Sequence, residues 1–288
     1  MPELPEVEAL AQDLRGRLDG RAIVRVDLAA FNALKTYDPP VSALEGTFVE
    51  GVDRHGKFLD ISSGGLHLVL HLARAGWVRW REEVPKLPPK PGRRSTIAAR
   101  VVLDDGSGLD ITEAGTRKSL AMYVVHAPTD VEGIARLGPD PLAEEFTVDA
   151  LAGILADAGR SQVKGVLRHQ GTIAGIGNAY SDEILHAAGM SPFKAASSLD
   201  ADDVQVLHDA VRSVLGDAVE RSRGLAASEL KGEKRSSMRV HGRTGEACPV
   251  CGDTVREVSF ADSALQYCPT CQTGGKPLAD RRTSKFLK

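Results

Sequence analysis

The chain opens with Met-Pro-Glu-Leu-Pro-Glu-Val, a stretch whose residues could act as chemical groups. An initiator methionine before proline is readily removed, which would leave Pro2 as a free secondary amine. A terminal α-amine has a reference pKa of about 8, against about 10.4 for lysine, so a useful fraction is unprotonated at neutral pH. Such an amine is a nucleophile, and the neighbouring carboxyl of Glu3 can transfer protons. The alternative is structural, with Pro2 and Glu3 only starting a helix.

Four cysteines form a second chemical cluster. Cys248 and Cys251 make one C-x2-C pair, and Cys268 and Cys271 make another after 16 intervening residues. Two such pairs at this spacing are typical of a zinc site, in which four thiolates bind Zn²⁺ tetrahedrally. Because four cysteines leave no coordination position open, we expect one structural zinc ion. Two disulfides or a redox pair are the alternatives, and a cytosolic chain with two copies of the motif disfavours both.

A glycine-rich stretch, QGTIAGIGNAY at residues 170–180, separates two segments with helical periodicity. A connector of this kind presents backbone N–H groups beside a helix N-terminus, which suits a phosphate. Asn178 could cap the following helix or donate to the phosphate, and Lys164 on the preceding helix could reach the same anion. The alternative is an ordinary packing corner in which Asn178 is only an N-cap.

Periodicity predicts the elements that must position these groups. Residues 5–19 carry apolar side chains at helical spacing, and Pro5 and Glu6 suit the first turn of a helix. Residues 21–127 contain short alternating segments rich in β-branched residues, which predict a β-rich domain, a sandwich or barrel. Beyond the Pro/Gly hinge GPDPL at 138–142, the pattern is helical to about residue 222. The prediction is an α+β protein with a cysteine-bearing hairpin after the helices.

Composition and charge limit the class of protein. The 288 residues, 42% hydrophobic and 26% charged, suffice for two globular domains, and we expect neither a transmembrane helix nor a secretory signal. A cytosolic protein is the default interpretation. Residues 131–220 carry 6 Lys and Arg against 14 Asp and Glu, whereas residues 221–288 carry 13 against 7. A basic segment of this kind suits contact with a polyanion, the alternative being a solvated tail.

Together, in this order, the motifs resemble the formamidopyrimidine-DNA glycosylase and endonuclease VIII family of base-excision repair enzymes. The opening MPELPEVE is that family's opening, and the resemblance covers nearly the whole chain. The other stretches that carry it are HGKFLDI around Lys57, LVLHL at 68–72, LGPDPL at 137–142, GIGNAYSDEIL at 175–185, VHGRTGEACPVCG at 240–252 and YCPTCQ at 267–272.

The resemblance implies a fold and three domains. It implies an N-terminal catalytic β-sandwich at residues 1–130 and a helix–two-turn–helix DNA-binding domain at 131–222. A linker and a four-cysteine zinc finger with a basic tail follow at 223–288. The implied partner is double-stranded DNA with damaged bases or abasic sites. A cytoplasmic monomer, associated with the nucleoid when bound to DNA, is the expectation.

The resemblance also implies roles for single residues. Attack of the Pro2 amine on the sugar C1′ would displace a base and give an iminium, which permits β-elimination of the 3′ phosphate and then loss of the 5′ phosphate. Glu3 would protonate the sugar or shuttle protons, Glu6 would orient the terminus, and Lys57 would serve in phosphate contact or proton transfer. The implied DNA-binding residues are Lys164, Asn178, Tyr180, Arg74 and Arg117.

The chain departs from the family's pattern in three places. Arg74 stands where the family usually has a methionine that fills the hole left by the extruded base. Arg117 can serve as the usual arginine of a later loop, but Lys118 or Ser119 follows where an aromatic residue is expected. These two changes form the first departure. The second is in the finger, where Ser263 replaces a phosphate-binding arginine. Cations elsewhere could compensate, namely Arg243, Arg256, Arg281 and Arg282.

The third departure concerns the substrate. Residues 221–238 lack the Gly-Gly-Ser/Thr type of stretch that covers the flipped base in purine-specific members. We therefore assign no 8-oxoguanine preference, and an oxidised pyrimidine, a ring-opened purine or an abasic site stay open. The leading hypothesis is a bifunctional glycosylase and AP lyase. The alternatives are a protein that binds damaged or abasic DNA, with lyase activity alone or without glycosylase activity, and a zinc-ribbon scaffold for protein partners.

Overall fold

The structure is a computed structural model that describes residues 1–92, 95–261 and 263–279. Arg281 and Arg282, which were predicted to compensate for the finger arginine, lie outside these residues. The chain forms two compact units. The N-terminal unit consists of Met1–Leu137 and Ser222–Lys231, and the C-terminal unit of Gly138–Arg221 and Gly232–Lys288. The predicted division into three domains is a finer one and stays a prediction.

The N-terminal unit is an antiparallel β-sandwich with a helix along one side. One four-stranded sheet has the order β1-β6-β7-β5 and the other the order β2-β3-β4-β8. The predicted α+β class with an N-terminal antiparallel sandwich is confirmed. The elements are α1 Leu4–Leu18, β1 Ile23–Leu28, β2 Val49–His55, β3 Phe58–Ser63, β4 Leu66–His71, β5 Gly76–Arg81, β6 Ile97–Leu103, β7 Gly108–Glu113, β8 Ala121–Val125 and the short α2 Glu132–Ala135.

The core of this unit lies between the sheets and under α1. Ile61 and Ile111 project from the two sheets into one cluster, and Leu10 and Leu14 of α1 join it with almost no exposed surface. Each such side chain contributes about 1.5–3 kcal/mol on burial. The apolar spacing that predicted α1 is therefore the spacing of its buried face.

A ten-residue segment from late in the chain belongs to this sandwich. Ala227 and Leu230, from Ser222–Lys231, lie in the same core cluster as the sheets. The indole Nε1 of Trp77 on β5 donates a 2.8 Å hydrogen bond to the Ala227 carbonyl oxygen. The N-terminal unit is thus completed by residues that follow the helical region in sequence.

The C-terminal unit combines helices with a two-stranded hairpin, as predicted. In α3, the Thr147 side chain caps the helix by accepting the Ala150 N–H at 3.2 Å. A helix over Leu230–Ser237, inside the predicted linker, was not predicted because LKGEKRSS is polar on nearly every side. The elements are α3 Val148–Ala158, α4 Val163–Arg168, α5 Asn178–Ala187, α6 Ala201–Ser222, α7 Leu230–Ser237, β9 Arg256–Ser259, β10 Ala264–Tyr267 and α8 Pro269–Thr273, of which the last residue of α6 and the first two of α7 belong to the N-terminal unit. Among the described residues, no helix is long and apolar enough to cross a membrane.

Candidate functional site

The N-terminus of α1 lies at the turn between β2 and β3. Near the other end of the helix, Arg15 Nε donates to the Val52 carbonyl at 3.0 Å. Closer to the start of the helix, the Glu8 carboxylate accepts from Arg54 Nε at 2.8 Å. Because the contacts advance along β2 as α1 is followed towards its first residue, the chain terminus meets the end of β2.

The chain terminus is held by a carboxylate of its own helix. Glu6 Oε2 accepts the backbone N–H of Glu3, the N-cap residue, at 2.8 Å. Both glutamates are only 2% exposed, Pro2 is buried, and Met1 is half exposed. Glu3 does start a helix, as the structural alternative held, and the same geometry fixes the backbone next to Pro2. The predicted orienting role of Glu6 is consistent with this contact.

Lys57 lies in the β2–β3 turn and is 9% exposed. The next residue, Phe58, pairs across the sheet with His71, and their ring centroids are 4.7 Å apart. Burial, and then the positive charge of Lys57, hold the pKa of His71 below its usual value. His71 was not among the predicted site residues, and the proximity of Lys57 to it could not be read from sequence.

Arg74 lies at the exposed tip of the tight turn between β4 and β5. Ala73 in this turn has a φ of 49°, and the Gly76 N–H donates to the Leu72 carbonyl at 2.8 Å. A Cβ on Gly76 would lie 2.2 Å from that same oxygen, so only glycine fits. The turn therefore projects Arg74 outward from the end of the sandwich.

Arg117 lies in the exposed loop between β7 and β8, and a buried carboxylate holds the loop. Glu113, 3% exposed, accepts the backbone N–H groups of Ser119 at 2.6 Å and Leu120 at 2.9 Å. The Ala114 N–H donates to the carbonyl of Ala75 in the Arg74 turn at 3.2 Å. Sequence reasoning missed Glu113, which resembled any strand-end acid.

These features share one end of the sandwich. Phe58, His71 and Ala121 are consecutive partners across β3, β4 and β8, and Gly76 pairs with Glu113 across β5 and β7. The turn and loop tips therefore lie side by side with the start of α1. We call this the loop end of the N-terminal unit and define it by Pro2, Glu3, Glu6, Lys57, His71, Arg74 and Arg117.

Lys164 in the C-terminal unit is enclosed by α5. Its ammonium lies 2.6 Å from Asp182 Oδ1, 2.7 Å from Ser181 Oγ and 3.3 Å from the Asn178 carbonyl oxygen. Three N–H groups thus have three acceptors, and the Lys164 side chain is 6% exposed. A phosphate contact for Lys164 stays a prediction and would replace one of these bonds.

Asp182 also binds the finger, which makes α5 the connecting element of the C-terminal unit. Its Oδ2 accepts from His241 Nδ1 at 2.7 Å and from the Gln266 N–H at 3.2 Å. The adjacent Glu183 accepts three backbone N–H groups, from residues 239–241, at 2.7–3.0 Å. Neither acid was predicted as a functional residue, because acids on a helix usually face water.

Asn178 is the first residue of α5, and its N-cap is Gly177. The alternative in which Asn178 is only an N-cap is therefore wrong. Its Nδ2 donates to the Ala264 carbonyl of the finger hairpin at 2.7 Å, which leaves a second N–H on the amide. Tyr180 is 3% exposed, and Lys234 Nζ lies 4.6 Å from its ring centroid. The DNA-binding roles of Asn178 and Tyr180 stay predictions.

The four cysteine sulphurs lie within 4.8 Å of one another. Cys248 and Cys271 Sγ are 3.8 Å apart, and Cys251 and Cys268 Sγ are 3.3 Å apart. Zn–S bonds of about 2.3 Å in a tetrahedron place sulphurs about 3.8 Å apart, so the site fits zinc. His186 Nε2 of α5 lies 3.3 Å from Cys248 Sγ, an outer contact that the sequence did not predict.

Two of the predicted compensating cations lie in the described part of the finger. Arg256 on β9 is exposed. Arg243 donates to Glu246 Oε2 at 3.3 Å and to the Ser236 carbonyl at 3.2 Å. Of these two, Arg256 is the better placed to meet an external phosphate.

Three family models match the chain in succession. The formamidopyrimidine-DNA glycosylase N-terminal domain matches residues 1–122, the formamidopyrimidine-DNA glycosylase H2TH domain matches 137–229, and the zinc finger found in FPG and IleRS matches 245–274. The zinc-finger match and the sulphur geometry confirm one structural zinc. The H2TH match confirms the helix–two-turn–helix fold.

Curated relatives and solved structures agree. The formamidopyrimidine-DNA glycosylase of Symbiobacterium thermophilum is 36% identical over 98% of this chain and 93% of its own length. A formamidopyrimidine-DNA glycosylase-like protein of Mycobacterium tuberculosis is 62% identical over 53% of this chain and 94% of its own. The structure of MutM (Fpg) from Thermus thermophilus has a TM-score of 0.80 at 31% identity, covering 96% of this chain and all of that one. A Lactococcus lactis Fpg in complex with DNA containing an abasic site has a TM-score of 0.82 at 25% identity, covering 94% and 99%.

Proposed function

This chain belongs to the formamidopyrimidine-DNA glycosylase family, and we propose that it is a bifunctional DNA glycosylase and AP lyase with Pro2 as nucleophile. The observation that carries the proposal is the loop end, where the contacts of α1 with β2 bring Pro2 and Glu3 to the same edge as the turns of Lys57, Arg74 and Arg117. An enzyme of base-excision repair needs a nucleophile, a proton donor and cations for DNA in one place. The proposed partner is double-stranded DNA with damaged bases or abasic sites.

The reaction begins with a nucleotide extruded from the duplex, because stacking hides C1′. With Met1 removed, the Pro2 nitrogen attacks C1′, the glycosidic bond breaks, and the departing base takes up the proton that the Pro2 nitrogen loses. Glu3 protonates the sugar ring oxygen, the ring opens, and an iminium forms between Pro2 and C1′. Loss of the C2′ proton then expels the 3′ phosphate by β-elimination.

The remaining residues hold the DNA. Lys57 contacts a phosphate or transfers a proton beside the sugar, and Glu6 fixes the backbone of Glu3. Arg74 and Arg117, at exposed tips, fill the hole left by the extruded base, and Arg74 stacks on or hydrogen-bonds to the orphaned partner base. In the C-terminal unit, Asn178 uses its second amide N–H for a phosphate. Lys164 exchanges its longest hydrogen bond, to the Asn178 carbonyl, for a phosphate oxygen.

Borohydride trapping tests the proposal. The iminium is reduced to a stable amine, so mixing protein, borohydride and abasic duplex should give a covalent complex. Pro2→Gly should lose most of the trapped complex, whereas Pro5→Ala, in the first turn of the same helix, should keep it. A Pro2→Gly protein that folds and traps normally would overturn the role of the terminus.

The second candidate is a protein that binds damaged or abasic DNA with lyase activity alone, or without excising bases. Two replacements favour it, Arg74 at the usual place of the wedge methionine and Ser263 at that of the finger arginine. Duplexes with an oxidised purine, an oxidised pyrimidine or an abasic site, tested with and without borohydride, separate the candidates. Tight binding without base release or strand cleavage supports the second. Base release followed by trapping supports the first.

A further inference from the structure

A second group of cations lines one flank of the N-terminal unit, around a cavity of about 480 Å³. The cavity lies along β5, which is an edge strand of its sheet. It extends from Trp77, next to the Arg74 turn, to Arg17 in the last turn of α1. We call it the tryptophan groove and define it by Arg17, Trp77, Arg79, Trp80, Arg81 and Lys231.

A cation lies over each of the two indole rings in the groove. Lys231 Nζ lies 4.5 Å from the ring centroid of Trp77, and Arg17 Cζ lies 5.1 Å from that of Trp80. These distances are within the range of cation–π attraction. The Nε1 of Trp77 is hydrogen-bonded to Ala227, but the Nε1 of Trp80 is buried and has no partner among the described residues. Because neither indole N–H is within reach of a ligand, the groove offers its cations.

The positive charge of the groove is only partly neutralised. Arg17 is paired with Asp13, which also lines the cavity, at 2.9 Å and with Glu82 at 3.5 Å, and Arg81 is paired with Asp110 at 2.8 Å. Within the described part of the chain, neither Arg79 nor Lys231 has a carboxylate partner. Burial, and then the charge of Arg79, lower the pKa of Lys231 from its usual value. Two like charges facing one cavity repel each other unless an anion lies between them.

We propose that the tryptophan groove binds phosphate groups of a nucleic-acid strand outside the loop end. The inference rests on the proposed function, because that function supplies the nucleic acid. A strand fits better than an isolated anion because the cations that line the groove are spread along β5, the last turn of α1 and Lys231. The 15-residue α1 spans about 22 Å from the terminus to the Arg17 end. At about 3.4 Å per nucleotide of one strand, this distance corresponds to roughly six nucleotides from the extruded one.

Intrinsic fluorescence gives a direct test, because Trp77 and Trp80 are the only two tryptophans of the chain. We expect a 24-base-pair abasic duplex to change the tryptophan emission of the intact protein. A duplex of eight base pairs centred on the same lesion should change it far less. Inorganic phosphate is the third probe. If inorganic phosphate changes the emission as much as the long duplex does, and the two duplexes act alike, the proposal that a strand binds here is overturned. The groove would then be an ion site only.

The paired variants test which cations matter. Arg79→Gln with Lys231→Gln should weaken binding of the long duplex and reduce the slope of log affinity against log salt by about 2, one for each cation. Arg25→Gln, on β1 at the opposite edge of the same sheet, is the matched control and should leave the slope unchanged. An unchanged slope in the double variant, with wild-type melting temperature, would sink the proposal.

One measurement separates failure of this proposal from failure of the proposed function. Borohydride trapping on the short duplex depends on the loop end alone, so the double variant should trap as the wild type does. If the wild type itself traps nothing, the proposed chemistry fails, while the fluorescence response still decides whether the groove binds a strand.

Discussion

Two buried lysines, one in each unit, show how differently the units use the same side chain. Lys57 is 9% exposed and lies beside His71, whose pKa it helps to lower. Lys164 is 5% exposed and has a carboxylate, a hydroxyl and a carbonyl oxygen around its ammonium. At the loop end, the Lys57 cation lies next to His71, whose imidazole would repel Lys57 if it were protonated. The C-terminal unit surrounds its cation with acceptors from its own helix.

The difference extends to the elements around each lysine. At the loop end, the cations of Arg74 and Arg117 stand exposed on turns that buried groups hold in shape. In the C-terminal unit, Asp182 and Glu183 direct their oxygens inward to the finger. One region leaves its cations exposed, whereas the other uses charge to join two parts of its own fold.

Loss of the zinc ion is expected to have the largest effect, and only in the C-terminal unit. Cys268→Ala removes a fully buried ligand, and binding of structural zinc contributes about 10 kcal/mol or more to folding. Hydrogen exchange should show lost protection of amides 239–241 and 264–267, with metal content falling in parallel. Ser263→Ala, in the hairpin turn, should keep both. Equal loss of protection in β3 and β4 would contradict the comparison.

Asp182→Ala is expected to come next. It leaves the Lys164 ammonium buried without its carboxylate, which should cost about 3–5 kcal/mol of unfolding free energy in a denaturant titration. Lys164→Met combined with Asp182→Asn should recover most of that stability, because the unpaired ammonium is gone and the amide oxygen can still accept from His241 and Gln266.

The recovered double variant then sharpens the comparison. If Lys164 exchanges a bond for a phosphate oxygen, the slope of log DNA affinity against log salt should fall by about 1. A stable double variant with an unchanged slope would show that Lys164 has only a structural role. The two buried lysines would then differ fully in function.

The smallest expected effect is a pH dependence at the loop end. The folded pKa of His71 lies below its usual 6.5, so the unfolded chain binds a proton that the folded chain does not. Stability from this group is therefore present above about pH 6.5 and decreases as the pH falls, by about 1.4 kcal/mol for each unit of pKa difference.

Nuclear magnetic resonance titration of His71 measures this effect directly. Lys57→Met removes one cause of the lowered pKa, so the His71 pKa should rise and the loss of stability at low pH should shrink. His71→Phe should abolish its share of the pH dependence. A His71 pKa that stays unchanged in Lys57→Met would show that the two groups do not interact.

Sequence patterns predicted the parts whose cause is local. The apolar spacing of α1 and the alternation of the strands reflect which faces are buried, and both were predicted close to their observed bounds. Two C-x2-C pairs carry their geometry in their spacing, so the zinc site was predicted with all four ligands. The terminus was singled out because Met-Pro-Glu has a chemistry of its own, and its catalytic role stays a prediction.

The parts that sequence did not predict depend on distant partners. Asp182, Glu183 and His186 are buried because residues 56–84 positions away in the chain come to meet them. Glu113 is buried because it accepts two backbone N–H groups of the β7–β8 loop. The spacing of residues in the sequence does not reveal the shape of that loop. Helix α7 has a polar sequence, and its one buried residue, Leu230, belongs to the sandwich core.

The contribution of Ser222–Lys231 to the sandwich limits how the chain can be divided into fragments that fold. A fragment ending at Leu137 contains every strand of the sandwich but lacks Ala227 and Leu230, which fill its core, and the carbonyl that receives the Trp77 indole. We therefore expect such a fragment to expose an apolar gap and aggregate, and addition of a synthetic 222–231 peptide to restore its solubility. Recombination between relatives should favour exchanges that keep this decapeptide with the sandwich of the same parent.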